Sequence, residues 1–269
     1  MIFIHKLFWP ISQTKGRDTV SSFTRCIGWA LTIWGVFFSS QTLSQQVTLA
    51  SSISIPPYVI VESDTGIQLD IVRESLARSG HTLKVLYASN KRALSFLKTK
   101  NVDGMINVPS GTPGLYYSDS TIEYQNGIIA LESRNLAIVE IQDLRDLRLV
   151  GFQNASNYFG SEFKAMTEQN QSYDEVVNQL AQLNMLFKQR CDAIVMDKRI
   201  FNYYHNTYME ELGFDKSTRF YNILPPSPRY VAFHDESLRD RFNAGLNELK
   251  ASGRYQEIVN SYLNEAAFK

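Results

Sequence analysis

The side chains that most often do chemistry are few in this sequence and poorly placed for catalysis. Of four histidines, His5 precedes a long apolar run, His81 sits beside a turn, His205 falls within a predicted helix among tyrosines, and His234 follows a predicted strand. None has the HExxH spacing that puts two imidazoles on one helix face around a metal. No G-x-S-x-G elbow, phosphate-binding loop or dinucleotide fingerprint occurs. The carboxylate pairs Asp143 with Asp146 and Asp235 with Glu236 have the spacing of solvated faces and helix starts. Residues of this kind carry no enzyme motif and predict neither metal nor cofactor.

The chain carries its own internal repeat. Arg92 to Asn107 reads RALSFLKTKNVDGMIN and Asn184 to Asp197 reads NMLFKQRCDAIVMD. In both, a helical run ends in a polar turn, followed by an Asp, a small residue and the apolar residues of a buried strand. Asp103 and Asp192 lie 89 positions apart and read as turn or capping residues. A repeat at this distance implies two α/β lobes of similar build with a cleft between them.

Composition agrees with a folded protein: 44% of residues are hydrophobic and 20% charged, in a chain of 269 residues, enough for two modest cores. Lys plus Arg equals Asp plus Glu, 27 each, so no basic surplus exists to neutralise phosphates, and nucleic acid is excluded as a partner class. Lys6, Lys15, Arg17 and Arg25 precede the apolar run Cys26 to Phe38, which small and polar residues close. That is the pattern of a secretory signal over residues 1–46, with removal near Ser44. Its loss leaves 23 basic against 26 acidic residues and one thiol, Cys191, at the start of a predicted buried strand. A single thiol forms no intramolecular disulfide, and this one reads as an inert core group.

Hydrophobic periodicity then sets out the elements that must carry any site. Val47 to Ser52, Leu83 to Tyr87 and Gly104 to Val108 read as strands, with helices after Gly66 and over Lys91 to Lys100 between them. Asn126 to Leu131 is a strand that crosses between lobes. Leu147 to Phe152 opens the second unit, in which a turn at Gln153 to Ser156 leads into a helix toward Met166. There follow an amphipathic helix over Tyr173 to Lys188, a strand at Asp192 to Met196 and a helix over Lys198 to Tyr208. Phe220 to Leu224 is a short strand, Arg229 to His234 a return crossing, and Leu238 to Leu263 a pair of helices broken at Ser252-Gly253. The expected organisation is 1–46 signal, 47–131 plus 229–269 first lobe, and 132–228 second lobe.

Four segments in this order, GIQLDIV at Gly66 to Val72, NVDGMIN at Asn101 to Asn107, CDAIVMD at Cys191 to Asp197 and the tail LNELKASGRYQEIVNSYL, resemble the bacterial periplasmic solute-binding proteins of family 3, the polar amino acid type. The resemblance covers essentially all of the chain after the signal. It implies an α/β, two-lobed, type II periplasmic-binding-protein-like fold joined by two hinge strands. It also implies capture of a small polar solute between the lobes, monomeric action in the periplasm, and delivery to an inner-membrane ABC permease. An orphan or sensory receptor of the same fold is the alternative. A few enzymes that eliminate water or carbon dioxide from cyclic acids share the scaffold, and for them Asp197 would be the acid or base.

The resemblance also marks positions. Proteins of this kind stack an aromatic residue of the first strand-to-helix loop on the ligand, and Tyr58 after Pro56-Pro57 occupies that place. Their loop after the third strand reads Ser-x-Thr, here Ser110 and Thr112, and is followed by an Arg that clamps the ligand carboxylate. Here no Arg follows, which argues against an ordinary α-amino acid and against the enzymes as well. In the second lobe, Asn154 and Ser156 either cap the helix or face the cleft. Asp197 either receives a ligand ammonium or caps the helix after it. Asp70, inside GIQLDIV, supports its own helix and loop.

Overall fold

A computed structural model describes residues 45–262 apart from Ile53, Pro109 and Ser110. The expected signal up to Ser44 and the expected site residue Ser110 lie outside the described residues.

The first half of the chain alternates strand and helix as its apolar periodicity requires. β1 (Gln45–Ser52), α1 (Ile67–Arg78), β2 (His81–Ala88), α2 (Asn90–Lys98) and β3 (Gly104–Val108) make two parallel pairings, β1 with β2 and β1 with β3. Two short strands follow, β4 (Tyr116–Tyr117) and β5 (Ile122–Tyr124), and then β6 (Asn126–Leu131). The second unit consists of β7 (Leu149–Phe152), α3 (Gly160–Gln169), β8 (Tyr173–Val176), α4 (Gln179–Phe187), β9 (Ala193–Asp197), α5 (Lys198–Leu212) and β10 (Thr218–Tyr221). β11 (Ser227–Phe233), α6 (Glu236–Ala251) and α7 (Arg254–Ser261) complete the chain. Among the described residues, no helix is long and apolar enough to cross a membrane.

Two sheets result, with strand orders β2-β1-β3-β11-β4, β5 pairing β11, and β10-β6-β9-β7-β8. Each has a parallel three-strand unit closed by one antiparallel strand from the other part of the sequence: β11 pairs β3, and β6 pairs β9. β6 therefore belongs to the second sheet, in register Asn126↔Asp197 to Ala130↔Ala193, and all six of its residues are buried. The crossing thus lies at Gln125, ahead of the boundary expected at Leu131. The return crossing occupies 222–226.

The amphipathic helix expected over Tyr173 to Lys188 is divided. Tyr173–Val176 pairs parallel with β7, and the Asn178 side chain caps the shorter α4 by accepting from the Leu180 N–H at 3.0 Å. Sheet completion outweighs helical periodicity at this edge, where Tyr173 packs edge-on against Phe163.

The internal repeat has a physical basis that the structure makes explicit. Lys100 and Gln189 both adopt left-handed backbone, φ 56° in each, ending α2 and α4. Asn101 N–H reaches back to Phe96 O at 3.0 Å, and Arg190 N–H to Met185 O at 2.8 Å. Next comes a two-bond clip. Asp103 N–H donates to Thr48 O at 2.9 Å while its carboxylate accepts the Thr48 N–H at 2.7 Å; Asp192 does the same with Arg148, at 2.9 Å for both bonds. The clips set the register of the parallel strands beyond them, Leu49↔Gly104 and Leu149↔Ala193. Between turn and clip, Val102 and Cys191 occupy the same core position, 4% and 3% exposed.

Asp192 also accepts from the guanidinium of Arg148, at 2.7 and 3.1 Å, and from that of Arg134. The Arg148 hydrogen bonds hold its carboxyl below the usual range. A lowered folded-state pKa contributes stability that is present above the unfolded value and lost as pH falls through the folded one. Asp192→Asn should therefore cost about 2 kcal/mol at neutral pH, the worth of charge-assisted hydrogen bonds, and the gap from the parent should begin to close only as pH falls below about 4. Urea unfolding at pH 7 and pH 3 measures both.

Candidate functional site

A cavity of about 580 Å³ lies between the two sheets, within the range of small-molecule sites. The first lobe contributes Ser52 at the end of β1, Asn107 on β3, Thr112 and Tyr124 of β5. The second contributes Asn126 at the start of β6, Phe152 at the end of β7, Tyr158, and the start of α4 at Asn178. Arg229, near the start of β11, completes the wall.

Local backbone geometry explains how two of these side chains arrive there. Opposite Tyr230 and Val231 of β11, the partners on β3 are Val108 and Ile106, so Asn107 is an extra residue in its strand, with φ at +64°. Such a bulge re-aims a side chain, and Asn tolerates the left-handed region better than most residues. Arg229 pairs with Ile122 of β5 and its carbonyl accepts from Thr121, which fixes its backbone in the hinge. Its guanidinium lies over the Tyr124 ring at 4.6 Å and over the Tyr158 ring at 5.4 Å. Tyr124 in turn stacks on Tyr58, centroid to centroid 4.0 Å.

The lining contains buried polar atoms with no well-formed hydrogen bond, Ser52 Oγ, Asn107 Oδ1, Tyr124 OH and Arg229 Nε, although the Asn107 side chain does face the Tyr124 hydroxyl. Burying an unpaired polar atom costs roughly 1–3 kcal/mol, so native proteins keep few of them without a function. Four in one cavity mark a place built to receive hydrogen bonds. Burial pushes the Tyr124 hydroxyl up, against the pull of Arg229, so it stays a neutral donor.

The expected site residues are distributed unevenly around this cavity. Thr112 lines it. Tyr58 and Asp197 do come together, but inside the protein: they are 0% and 1% exposed, and the Tyr58 hydroxyl donates to Asp197 Oδ1 at 2.9 Å. Asp197 also caps α5 through the Arg199 and Ile200 N–H groups at 2.9 and 3.0 Å, and accepts the Gln125 N–H at 2.7 Å. Arg199 donates to Tyr58 OH at 3.3 Å and to Glu123 O at 3.0 Å. Burial raises the pKa of both groups, above all of Tyr58, which also faces the Asp197 charge. Together these residues pin the first lobe's loop to the crossing segment of the second.

Asn154 and Ser156 stand outside the lining as well. Their backbone N–H groups donate to the Glu175 carboxylate at 2.5 and 2.8 Å, which also accepts from Tyr173 OH at 2.9 Å. Burial alone would raise the Glu175 carboxyl, but these N–H groups outweigh it and hold it low. An internal carboxylate fills the anion position that the turn would otherwise offer to a ligand. Asp70 meets its expectation, bonded to Arg73 and, at 2.5 Å, to the Tyr262 hydroxyl, which accepts from Gly66 N–H.

With this geometry in place, comparison with known proteins identifies the family. Residues 47–265 match the family model for bacterial extracellular solute-binding proteins, family 3. The chain belongs to that family. No curated protein gives a significant match. Among solved structures, the GluR0 ligand-binding core in complex with L-glutamate has a TM-score of 0.66 at 16% identity, covering 82% of this chain and 100% of that one. A histidine kinase sensor domain with similarity to periplasmic binding proteins gives 0.65 at 17%, covering 82% and 97%. The substrate-binding protein of an amino acid ABC transporter gives 0.57 at 19%, covering 82% and 100%. At these identities the likeness shows the fold, a two-lobed type II arrangement, and that is the arrangement of this family 3 chain. Among its described residues no group of three or more His, Cys, Asp or Glu could hold a metal ion.

Ser52, Asn107, Tyr124 and Arg229 all escaped sequence reasoning, and two of them carried a signal. Arg229 was expected only as the start of a crossing strand, although an Arg leading into the buried run Tyr-Val-Ala-Phe is itself a signal. Asn107 closes the NVDGMIN segment at the position where the repeat has Met196, so a polar residue replaces an apolar one in matching frames.

Proposed function

We propose that this protein is an exported solute receptor that captures a small molecule in the interlobe cavity and closes around it by hinge motion at Gln125 and 222–226. The observation that carries this reading is the cluster of four buried polar atoms without a well-formed hydrogen bond in a cavity walled by both lobes. Contacts from both sides stabilise a closed form more than an open one, and that difference drives closure. We assign the binding groups to Arg229, Asn107, Tyr124, Ser52 and Thr112 of the first lobe, with Asn126, Tyr158 and Asn178 of the second lobe on the opposite wall.

Delivery to an inner-membrane ABC permease from the periplasm is the role favoured, supported by family membership and by the fold shared with a transporter's binding protein. A sensory role is the second reading, supported by the fold shared with a kinase sensor domain.

A thermal-shift panel of amino acids, amines, sugars and organic acids tests the proposal, since binding to the native state alone raises the melting temperature. One chemical class should raise it and also shrink the radius of gyration in small-angle scattering. A flat response across all classes, with no contraction, would reject the receptor reading.

A further inference from the structure

Among the described residues, the cavity's lining holds a cation and no anion. Arg229 is 7% exposed, and no described acceptor takes a hydrogen bond from its guanidinium. It is the one ionised side chain among the residues lining the cavity. The guanidinium lies over the Tyr124 and Tyr158 rings, contacts that use none of its N–H groups, and its planar fork matches two carboxylate oxygens. A buried, unpaired cation is costly, and an anionic guest removes that cost.

The two nearby carboxylates cannot serve a ligand ammonium. Asp197 has both oxygens engaged by Tyr58, Gln125, Arg199 and Ile200, behind the cavity wall. Glu175 has both oxygens engaged by Asn154, Ser156 and Tyr173. An α-amino acid entering this cavity would place its ammonium among neutral side chains and near the Arg229 charge. The remaining wall includes Ile55, Leu94, Met105, Phe152, Val177 and Ile200, which suit an apolar body.

Resting on the receptor reading above, we infer that the ligand is a small organic carboxylate with an apolar or aromatic body and no cationic group, held by Arg229. Asn107 and Ser52 serve hydroxyl or keto substituents on that body. The carboxylate is gripped from the start of β11, just beyond the return crossing at 222–226, so the anion is held next to the segment that moves on closure.

The test is calorimetric titration of the full protein at pH 7.5 with two matched sets: 3-phenylpropanoate, L-phenylalanine and 2-phenylethylamine; and 4-methylpentanoate, L-leucine and isopentylamine. An acid of one set should bind, its amino acid counterpart about tenfold or more weaker, and the amine not measurably. Arg229→Met should weaken the bound acid about a hundredfold or more, and Arg229→Lys should recover only part of that loss, because a point charge does not replace the fork. Circular dichroism melts confirm that the variants are folded; should the Met variant fail to fold, the Lys variant carries the comparison. An amino acid or amine binding as tightly as its matched acid would overturn the inference and leave the receptor reading standing. So would binding of the acid unchanged by both Arg229 variants, or a sugar as the sole ligand in the wider panel. Silence in every class would overturn both.

Discussion

Replacing Asp197 by alanine should lower the unfolding free energy by about 4 kcal/mol, as read from urea denaturation at pH 7, because the change strips a buried cluster of its acceptor. The Gln125, Arg199 and Ile200 N–H groups and the Tyr58 hydroxyl all lose a partner at once. The partly buried Arg199 guanidinium loses its neighbouring charge. Asp197→Asn keeps an oxygen for the cap and should cost roughly half as much. In both variants the affinity for a cleft ligand, measured at a temperature where the protein is folded, should stay within about threefold of the parent. Unaltered stability with abolished binding would return Asp197 to the ligand role that the family resemblance implies.

Gly66→Ala should be nearly as damaging, about 3 kcal/mol, and for a reason of geometry. Gly66 has φ at +135°, a conformation that side-chain-bearing residues rarely adopt, and a Cβ there would lie 2.7 Å from Tyr58 C and 2.9 Å from Val59 N. Those atoms are backbone, and they are fixed: Tyr58 O accepts the Gln68 and Leu69 N–H groups, so the loop itself serves as the cap of α1. To admit a methyl group the loop must move, and with it the Tyr58 ring stacked on Tyr124. The variant should therefore show a lower urea midpoint together with weakened binding, whereas Asp197→Asn should show only the former. Equal midpoints for Gly66→Ala and the parent would mean that the loop is softer than its hydrogen bonds suggest.

How much of this was legible in the sequence depends on whether a feature is local. The helix ends at Gly80 and Ser252-Gly253, the strands of the first unit, and the repeat around Asp103 and Asp192 follow from turn chemistry and periodicity, which act over a few residues. The family and fold were legible through four ordered segments, and the match over residues 47–265 agrees with them. Tyr173–Val176 was misread because its neighbour β7 lies more than twenty residues earlier, and only pairing reveals it. The site was the least legible part. Tyr58 and Asp197 are a contacting pair separated by 139 positions, and each looks like a free polar residue until the other is placed beside it. Glu175 fills the turn at Asn154 and Ser156 by the same long-range logic. Arg229 is visible as a binding group only once its guanidinium is seen over the rings of Tyr124 and Tyr158.

The exchange of antiparallel strands has a bearing on how the protein is made. Because β11 lies between β3 and β4, a ribosome that has released everything up to Tyr221 has supplied the entire second sheet but left the first with a gap at its middle. The lobe that is synthesised first is thus the lobe that matures last. Until Phe233 emerges, β3 presents an open, apolar edge to its surroundings, so a stalled or truncated chain is a candidate for aggregation rather than for partial activity.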